Sequence, residues 1–455
     1  MSLYRTLDPT TGQLVESYPT IGDDELEARL EAAARAFDDW RKRPLSERTG
    51  VLQRAAELLE QEAREHAATM ALEMGKPLAE GVAEAEKCAW ACRYYAEHAA
   101  AFLQPELHES DGSQAFVRYD PLGPILAIMP WNFPFWQVFR FAAPALAAGN
   151  LVLLKHAPGT PRCALALADL LARAGCPEGV FQSLFLSNEQ AAEVIADPRV
   201  RGVTLTGSTG AGREVASAAG RALKPMVMEL GGSDPFIVFA DADLEQAVRI
   251  GVASRCLNSG QSCISAKRFL VERPILERFT EAFVAGMRGR KMGDPRRGDT
   301  DVGPLARADL RDHLARQVAD SVARGARALC GGEVPEGAGF FYPPTVLTEV
   351  PADAPAAREE LFGPVATLIP FASEVEAVAI ANATPYGLGA SLWTGDPARA
   401  ERLIPDLESG SVFVNGLVKS DPRLPFGGVK DSGFGRELAR EGMLEFVNQK
   451  TVWIA

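Results

Sequence analysis

From about residue 115 the chain alternates between short apolar runs and helical stretches, and this rhythm limits the fold more than any other feature. "PILAIMP", "NLVLLKH", "GVTLTGS", "PMVMEL" and "PFIVFA" are strand-length and apolar throughout. Between them, "PRCALALADLLARAG" and "AGREVASAAGRAL" repeat apolar residues at helical spacing. Buried strands separated by helices imply βαβ units on a parallel sheet. A second set follows Cys263: "KRFLVE", helices near 275–289 and 305–330, then "ATLIPF", "GASLWT" and "SVFVNG". The expected fold class is α/β with two sheet domains, divided near 231 by the turn-rich "MELGGSDP". Residues 22–103 read as mostly helical. Asp23 and Asp24 are candidate N-caps of one helix, and a single long helix is expected from Ser46 to Gly75.

The totals exclude several functions. A net charge of −13 over 455 residues argues against a nucleic-acid binder, which needs a basic surface. A small anionic substrate stays possible, because it needs only local positive charge. The seven cysteines lack CxxC pairs, so neither a zinc site nor a disulfide framework is expected, and no metal. No apolar run approaches the roughly 20 residues that span a bilayer, and "MSLYRTLDPTTGQ" lacks a signal-peptide core. The expectation is a cytoplasmic protein with no membrane partner.

Five stretches carry chemistry. "NSGQSCISAKR" sets Cys263 among residues that are poor core company, with Lys267 and Arg268 near enough in sequence to favour a thiolate. Most lone cysteines are small core hydrophobes. Glu229 ends an apolar strand in "VMELGG"; burial would raise its pKa into the range of a general base, although a turn-capping Glu is the commoner case. Asn132 in "MPWNFPFW" is flanked by prolines, where a fixed amide can donate to an oxyanion or simply form a turn. "LTGSTGAGREV" joins a strand to a helix through Gly207, Gly210 and Gly212, which can seat a phosphate at the helix N-terminus or make a tight connection. Lys155 stands at another strand end. None of these decides the function alone.

In order, "PWNFP", "LLKHAP", "TLTGSTGAG", "MELGG", "GQSC", "EELFGPV" and "PFGGVKDSGFGRE" resemble the successive motifs of the aldehyde dehydrogenase superfamily. The resemblance spans essentially the whole chain and, in its finer detail, is greatest to the bacterial succinate-semialdehyde dehydrogenases. It implies a Rossmann-like cofactor domain (1–103 and 122–231), an α/β catalytic domain (232–430), and a small β oligomerisation arm and tail (104–121 and 431–455). Homodimers or homotetramers are usual for such chains. It also implies Cys263 as nucleophile, Glu229 as hydrolytic base and Asn132 as oxyanion donor. Trp131, Lys155, Gly207, Ser208, Gly212, Glu360 and Phe362 match cofactor-binding positions. The cofactor is NADP or NAD, and the partner is a small semialdehyde.

Some positions depart from the family pattern. Pro158 stands where many NAD-preferring relatives carry an acidic residue, so a 2′-phosphate would meet no repulsion and NADP is expected to be accepted. Ser265 replaces a second cysteine used by some relatives as a redox switch, and Cys256 would need the fold to bring it close to Cys263. Arg140 and Ser420 match positions that hold a substrate's far carboxylate in semialdehyde-specific relatives. Leu257 stands where some of those relatives have a further Arg. A broader aldehyde or a glutarate semialdehyde is the alternative substrate.

Overall fold

The computed structural model describes residues 3–455. The first main sheet has six strands, in spatial order Gly433–Phe434, Met226–Glu229, Gly202–Thr206, Pro124–Met129, Leu151–His156 and Phe181–Ser183. All are parallel except Gly433–Phe434. The chain starts in the middle at Pro124–Met129, builds outward to Phe181–Ser183, then crosses back to Gly202–Thr206 on the other side. Strand order therefore reverses between Pro124–Met129 and Gly202–Thr206. In open α/β sheets ligands bind outside the carboxyl ends at such a reversal. The residues that follow those two ends are Trp131–Asn132 and Gly207–Ser208. Every residue of Leu151–His156 and Gly202–Thr206 is buried, as the unbroken apolar runs require.

The second sheet has seven strands, in order Arg327–Cys330, Thr345–Thr348, Val365–Phe371, Arg268–Glu272, Pro235–Val238, Gly389–Trp393 and Ser411–Val414. Only Arg327–Cys330 is antiparallel. Each sheet has its own apolar core: Trp40, Tyr95, Phe139 and Leu153 in the first, and Phe236, Phe269, Phe283 and Trp393 in the second. Among the described residues no helix is long and apolar enough to cross a membrane.

The helical region departs from expectation in three places. The helix expected from Ser46 to Gly75 is two helices, Leu45–Gln61 and Ala63–Met74, meeting at Glu62 (φ −104°, ψ 12°). Neither Gly nor Pro marks the break. Glu62 is instead engaged by Arg173, whose two terminal nitrogens donate to its carboxylate at 2.6 and 2.7 Å. The first helix, Asp23–Trp40, is preceded by Gly22 at the cap position. Asp23 and Asp24 lie inside its first turn, where their charges complement the helix dipole. The stretch 305–330 holds the helix Ala308–Ala323, then Gly325 at φ 115°, then a strand.

A third sheet joins Val447–Ile454, Gln114–Pro121 and Glu106–His108, antiparallel throughout. It contains most of the segments expected to form the arm. Gly433–Phe434, expected in the tail, adds instead to the six-stranded sheet.

Candidate active site

Cys263 lies on the loop between the helix Leu244–Cys256 and the strand Arg268–Glu272. Three successive residues before it hold left-handed backbone: Asn258 (φ 53°), Ser259 (φ 54°) and Gly260 (φ 74°). A β-carbon on Gly260 would stand 2.3 Å from the carbonyl carbon of Gly363, so only glycine fits. Such strain persists where surrounding bonds over-determine the loop. Asn258 Nδ2 donates to the Asn132 carbonyl at 2.7 Å, and its N–H donates to Glu80 at 2.7 Å. Ser259 Oγ accepts from Gly303 N–H, and Gln261 Oε1 from Ala306 N–H, both at 2.9 Å. The loop is thereby fastened to both domains.

The thiol sits where two cavities meet. One, of about 710 Å³, occupies the strand-order reversal and is lined by Trp131, Asn132, Gly207, Ser208, Glu360 and Phe362 among others. The second, of about 220 Å³, is lined by Lys87, Trp136, Arg140, Ser420 and Phe426 among others. Cys263 belongs to both walls. The structure thus gathers Trp131, Asn132, Gly207, Ser208, Glu360, Phe362 and Cys263 in one cleft, and Arg140, Ser420 and Cys263 in the other. Lys155, Gly212 and Glu229 line neither.

The first cleft has features that a dinucleotide site needs. The helix Thr209–Arg221 opens onto it, with Ser208 Oγ capping Ala211 N–H at 3.3 Å. The first N–H groups of a helix have no partner inside it and favour a phosphate. A β-carbon on Gly212 would stand 2.5 Å from the Leu230 side chain, so this glycine lets the helix close on the sheet. Glu360 accepts from Gly232 N–H at 3.0 Å and lies 3.6 Å from Lys267 Nζ. Phe362 meets Trp131 edge to face at 5.7 Å. Lys155 is buried at its strand end and has no ion-pair or hydrogen-bond partner among the described residues; burial lowers its pKa. Pro158 is exposed, and its carbonyl accepts from Arg5 N–H at 2.8 Å. Sequence reasoning passed over Arg307, His313 and Tyr386 of this cleft, none of which sits in a marked motif.

The thiol itself is not activated as its neighbours in sequence suggest. Lys267 donates to the Cys263 carbonyl at 2.8 Å, and Arg268 turns to the carbonyls of Ser233, Ile380 and Ala381. Burial pushes the Cys263 thiol up to about 12, although Lys267 and Arg140 pull it down. Asn132 Nδ2 donates to the Gln261 carbonyl at 3.0 Å, which fixes the amide and leaves its second N–H. Cys256 packs on Met287, sulfur to sulfur at 3.7 Å, and all seven cysteines are free.

Glu229 ends its strand buried, with Oε1 lacking any hydrogen bond among the described residues. Burial, then the like charge of Glu437, raise its pKa well above the carboxylate range, against the pull of Arg140. Arg140, on the helix Trp136–Ala148, is ion-paired with Glu437, donates to Thr206 Oγ1 at 3.2 Å and lies 4.7 Å from the Phe426 ring centre. Both members of the pair are buried. Arg140 therefore reaches the second cavity with its charge already balanced.

A cysteine thiol thus lies between a crevice at the strand-order reversal of an α/β sheet and a second, partly basic pocket, an arrangement open to a dehydrogenase. The chain belongs to the aldehyde dehydrogenase family, whose sequence pattern matches residues 2–452. It is 51% identical over 450 residues to a probable succinate-semialdehyde dehydrogenase [NADP(+)] of Synechocystis, covering 99% of both chains. It is likewise 51% identical over 453 residues to succinate-semialdehyde dehydrogenase [NADP(+)] 1 of Mycobacterium tuberculosis, covering 99% of each. The fold matches the crystal structure of succinic semialdehyde dehydrogenase from Streptococcus pyogenes in complex with NADP+, with a TM-score of 0.97, 37% identity and 99% coverage of both chains.

Proposed function

We propose that the protein oxidises succinate semialdehyde to succinate, with NADP+ as an accepted cofactor. The carrying observation is the position of Cys263 in the walls of both cavities. An aldehyde entering by the second pocket meets the thiol at the mouth of the first. The Cys263 thiol gives its proton to solvent in the cleft, and the sulfur attacks the carbonyl carbon. The Asn132 amide and the Cys263 N–H stabilise the oxyanion. Trp131, Gly207, Ser208, Glu360 and Phe362 would hold the cofactor, with Lys155 at the neighbouring strand end and Gly212 letting the helix close on the sheet, and the cofactor would supply a hydride acceptor. Loss of hydride from the Cys263 adduct leaves a thioester. Glu229 then takes a proton from water, which attacks the thioester and releases the acid and the thiol. Its carboxyl lies outside both cavities, and its Oε1 has no hydrogen bond to break before it turns. Gly427 keeps the room open, because a β-carbon there would lie 2.9 Å from Glu229 Oε1. Relatives named for NADP+ and the exposed, uncharged Pro158 support that cofactor. Local positive charge in the second pocket supports an anionic aldehyde.

The test is kcat/KM for succinate semialdehyde, glutarate semialdehyde and butyraldehyde with each cofactor, and Cys263→Ala as the blank. Succinate semialdehyde should exceed butyraldehyde by roughly tenfold or more, the worth of one charge-assisted carboxylate contact. NADP+ should serve at least as well as NAD+. Equal rates on the two aldehydes would return the protein to broad-specificity dehydrogenases.

A further inference from the structure

The second cavity contains a cation that forms no ion pair among the described residues. Lys87, on the helix Leu78–Phe102, points its Nζ at Ser420 Oγ, 2.9 Å away, and at the Trp136 ring, 4.2 Å from its centre. No carboxylate lies within ion-pair distance of it among the described residues. The carboxylates around it are engaged elsewhere: Glu80, in the same wall, accepts the Asn258 N–H at 2.7 Å, and burial raises its pKa to about 7. Glu84 pairs with Lys76 and accepts the Phe135 and Trp136 N–H groups at 2.9 Å. Asp421 pairs with Arg423 at 2.6 Å. Arg140 is balanced by Glu437.

Ser420 carries the second observation. Its oxygen accepts from Lys87 Nζ at 2.9 Å and from Trp136 Nε1 at 3.0 Å. A hydroxyl has two acceptor sites and one hydrogen to donate. With both acceptor sites taken, only the O–H remains, and it has no acceptor among the described residues. The three side chains form a cradle that is rich in donors and poor in acceptors, in a wall shared with Cys263. A carboxylate is acceptor-only and complements it. An exposed lysine, Lys419, adds positive charge at the mouth.

We infer that Lys87, through Ser420, is the specificity-determining residue that binds the far carboxylate of the semialdehyde. The inference rests on the proposed succinate semialdehyde activity. It gives the discriminating charge to Lys87, and leaves Arg140 a supporting donor paired with Glu437. Burial and repulsion from Arg140 pull the Lys87 pKa down to about 8, as expected of a cation awaiting a counter-charge.

The test compares wild type, Lys87→Met and Lys87→Arg with NADP+, each checked for fold by circular dichroism. It reads the ratio of kcat/KM for succinate semialdehyde to that for butyraldehyde. Lys87→Met should lower the ratio about tenfold or more, mainly through KM for the semialdehyde, and Lys87→Arg should restore most of it. A wild type without preference overturns the activity reading and this inference with it. A preference retained by Lys87→Met, or equal losses on both aldehydes, overturns this inference alone. A second measurement needs no variant: succinate, and not butanol, should slow acetylation of Lys87 by acetic anhydride in the wild type, read by mass spectrometry. Absence of protection counts against the assignment.

Discussion

A thiol held up to about 12 by burial is almost wholly protonated at neutral pH, with about one molecule in 10⁵ as thiolate. The sign follows directly: the deprotonated nucleophile appears only as pH rises. In the cofactor-free protein, alkylation of Cys263 by iodoacetamide should therefore gain close to tenfold per pH unit from 7 to 10 without levelling off. A plateau below pH 9 would show a thiol closer to its ordinary value. Glu229 differs, because the role proposed for it comes after the redox step. Glu229→Gln should slow steady-state turnover and leave a burst of reduced cofactor in stopped flow; loss of the burst would place Glu229 before hydride transfer. Arg140 and Glu437 form a buried pair, and removing one partner of such a pair costs about 3–5 kcal/mol. Arg140→Leu should lower Tm strongly, and the double variant Arg140→Leu/Glu437→Leu should recover most of the loss. Additive losses would show that the pair is not coupled.

At the scale of elements, the strand Leu151–His156 runs from the sheet core to Lys155 and, two residues beyond its end, Pro158. Pro158→Glu would put a carboxylate beside the expected ribose position. It should cut kcat/KM for NADP+ roughly tenfold relative to NAD+ by repelling a 2′-phosphate; an unchanged ratio would remove Pro158 from cofactor choice. This strand also shows what is legible in the sequence. "NLVLLKH" is buried throughout, so its apolar run announces a central parallel strand, and the Gly-rich turn after Thr206 announces a helix start. Cys263, Asn132 and Glu360 could be found because they sit in short motifs. Lys87 could not, because "EGVAEAEKCAWACRYY" looks like any charged helix, and its meaning depends on Trp136 and Ser420 folding against it. The break at Glu62 and the Arg140–Glu437 pair escaped for the same reason: each is set by a partner distant in sequence.

At the scale of the molecule, Cys263 lies between the two main sheets, and the three-stranded arm packs on the first core through Val447 and Tyr119. Val447–Ile454 lies at an edge of that arm, with one side of its backbone paired to Gln114–Pro121. This eight-residue edge, exposed along most of its length, is a template for another strand. Its side chains fit such a role: Trp453 is 52% exposed, Ile454 46%, and Leu107 on the opposite edge strand 75%. Exposed apolar side chains on an open sheet edge favour burial against a second copy. The double variant Trp453→Glu/Ile454→Glu introduces charge on that face without touching either cavity. In sedimentation velocity, wild type should run as a dimer or larger and the variant should shift toward monomer. The thiol should keep its alkylation profile, because the arm contributes no residue to either wall around Cys263. A variant that keeps the wild-type sedimentation coefficient would place the assembly surface elsewhere.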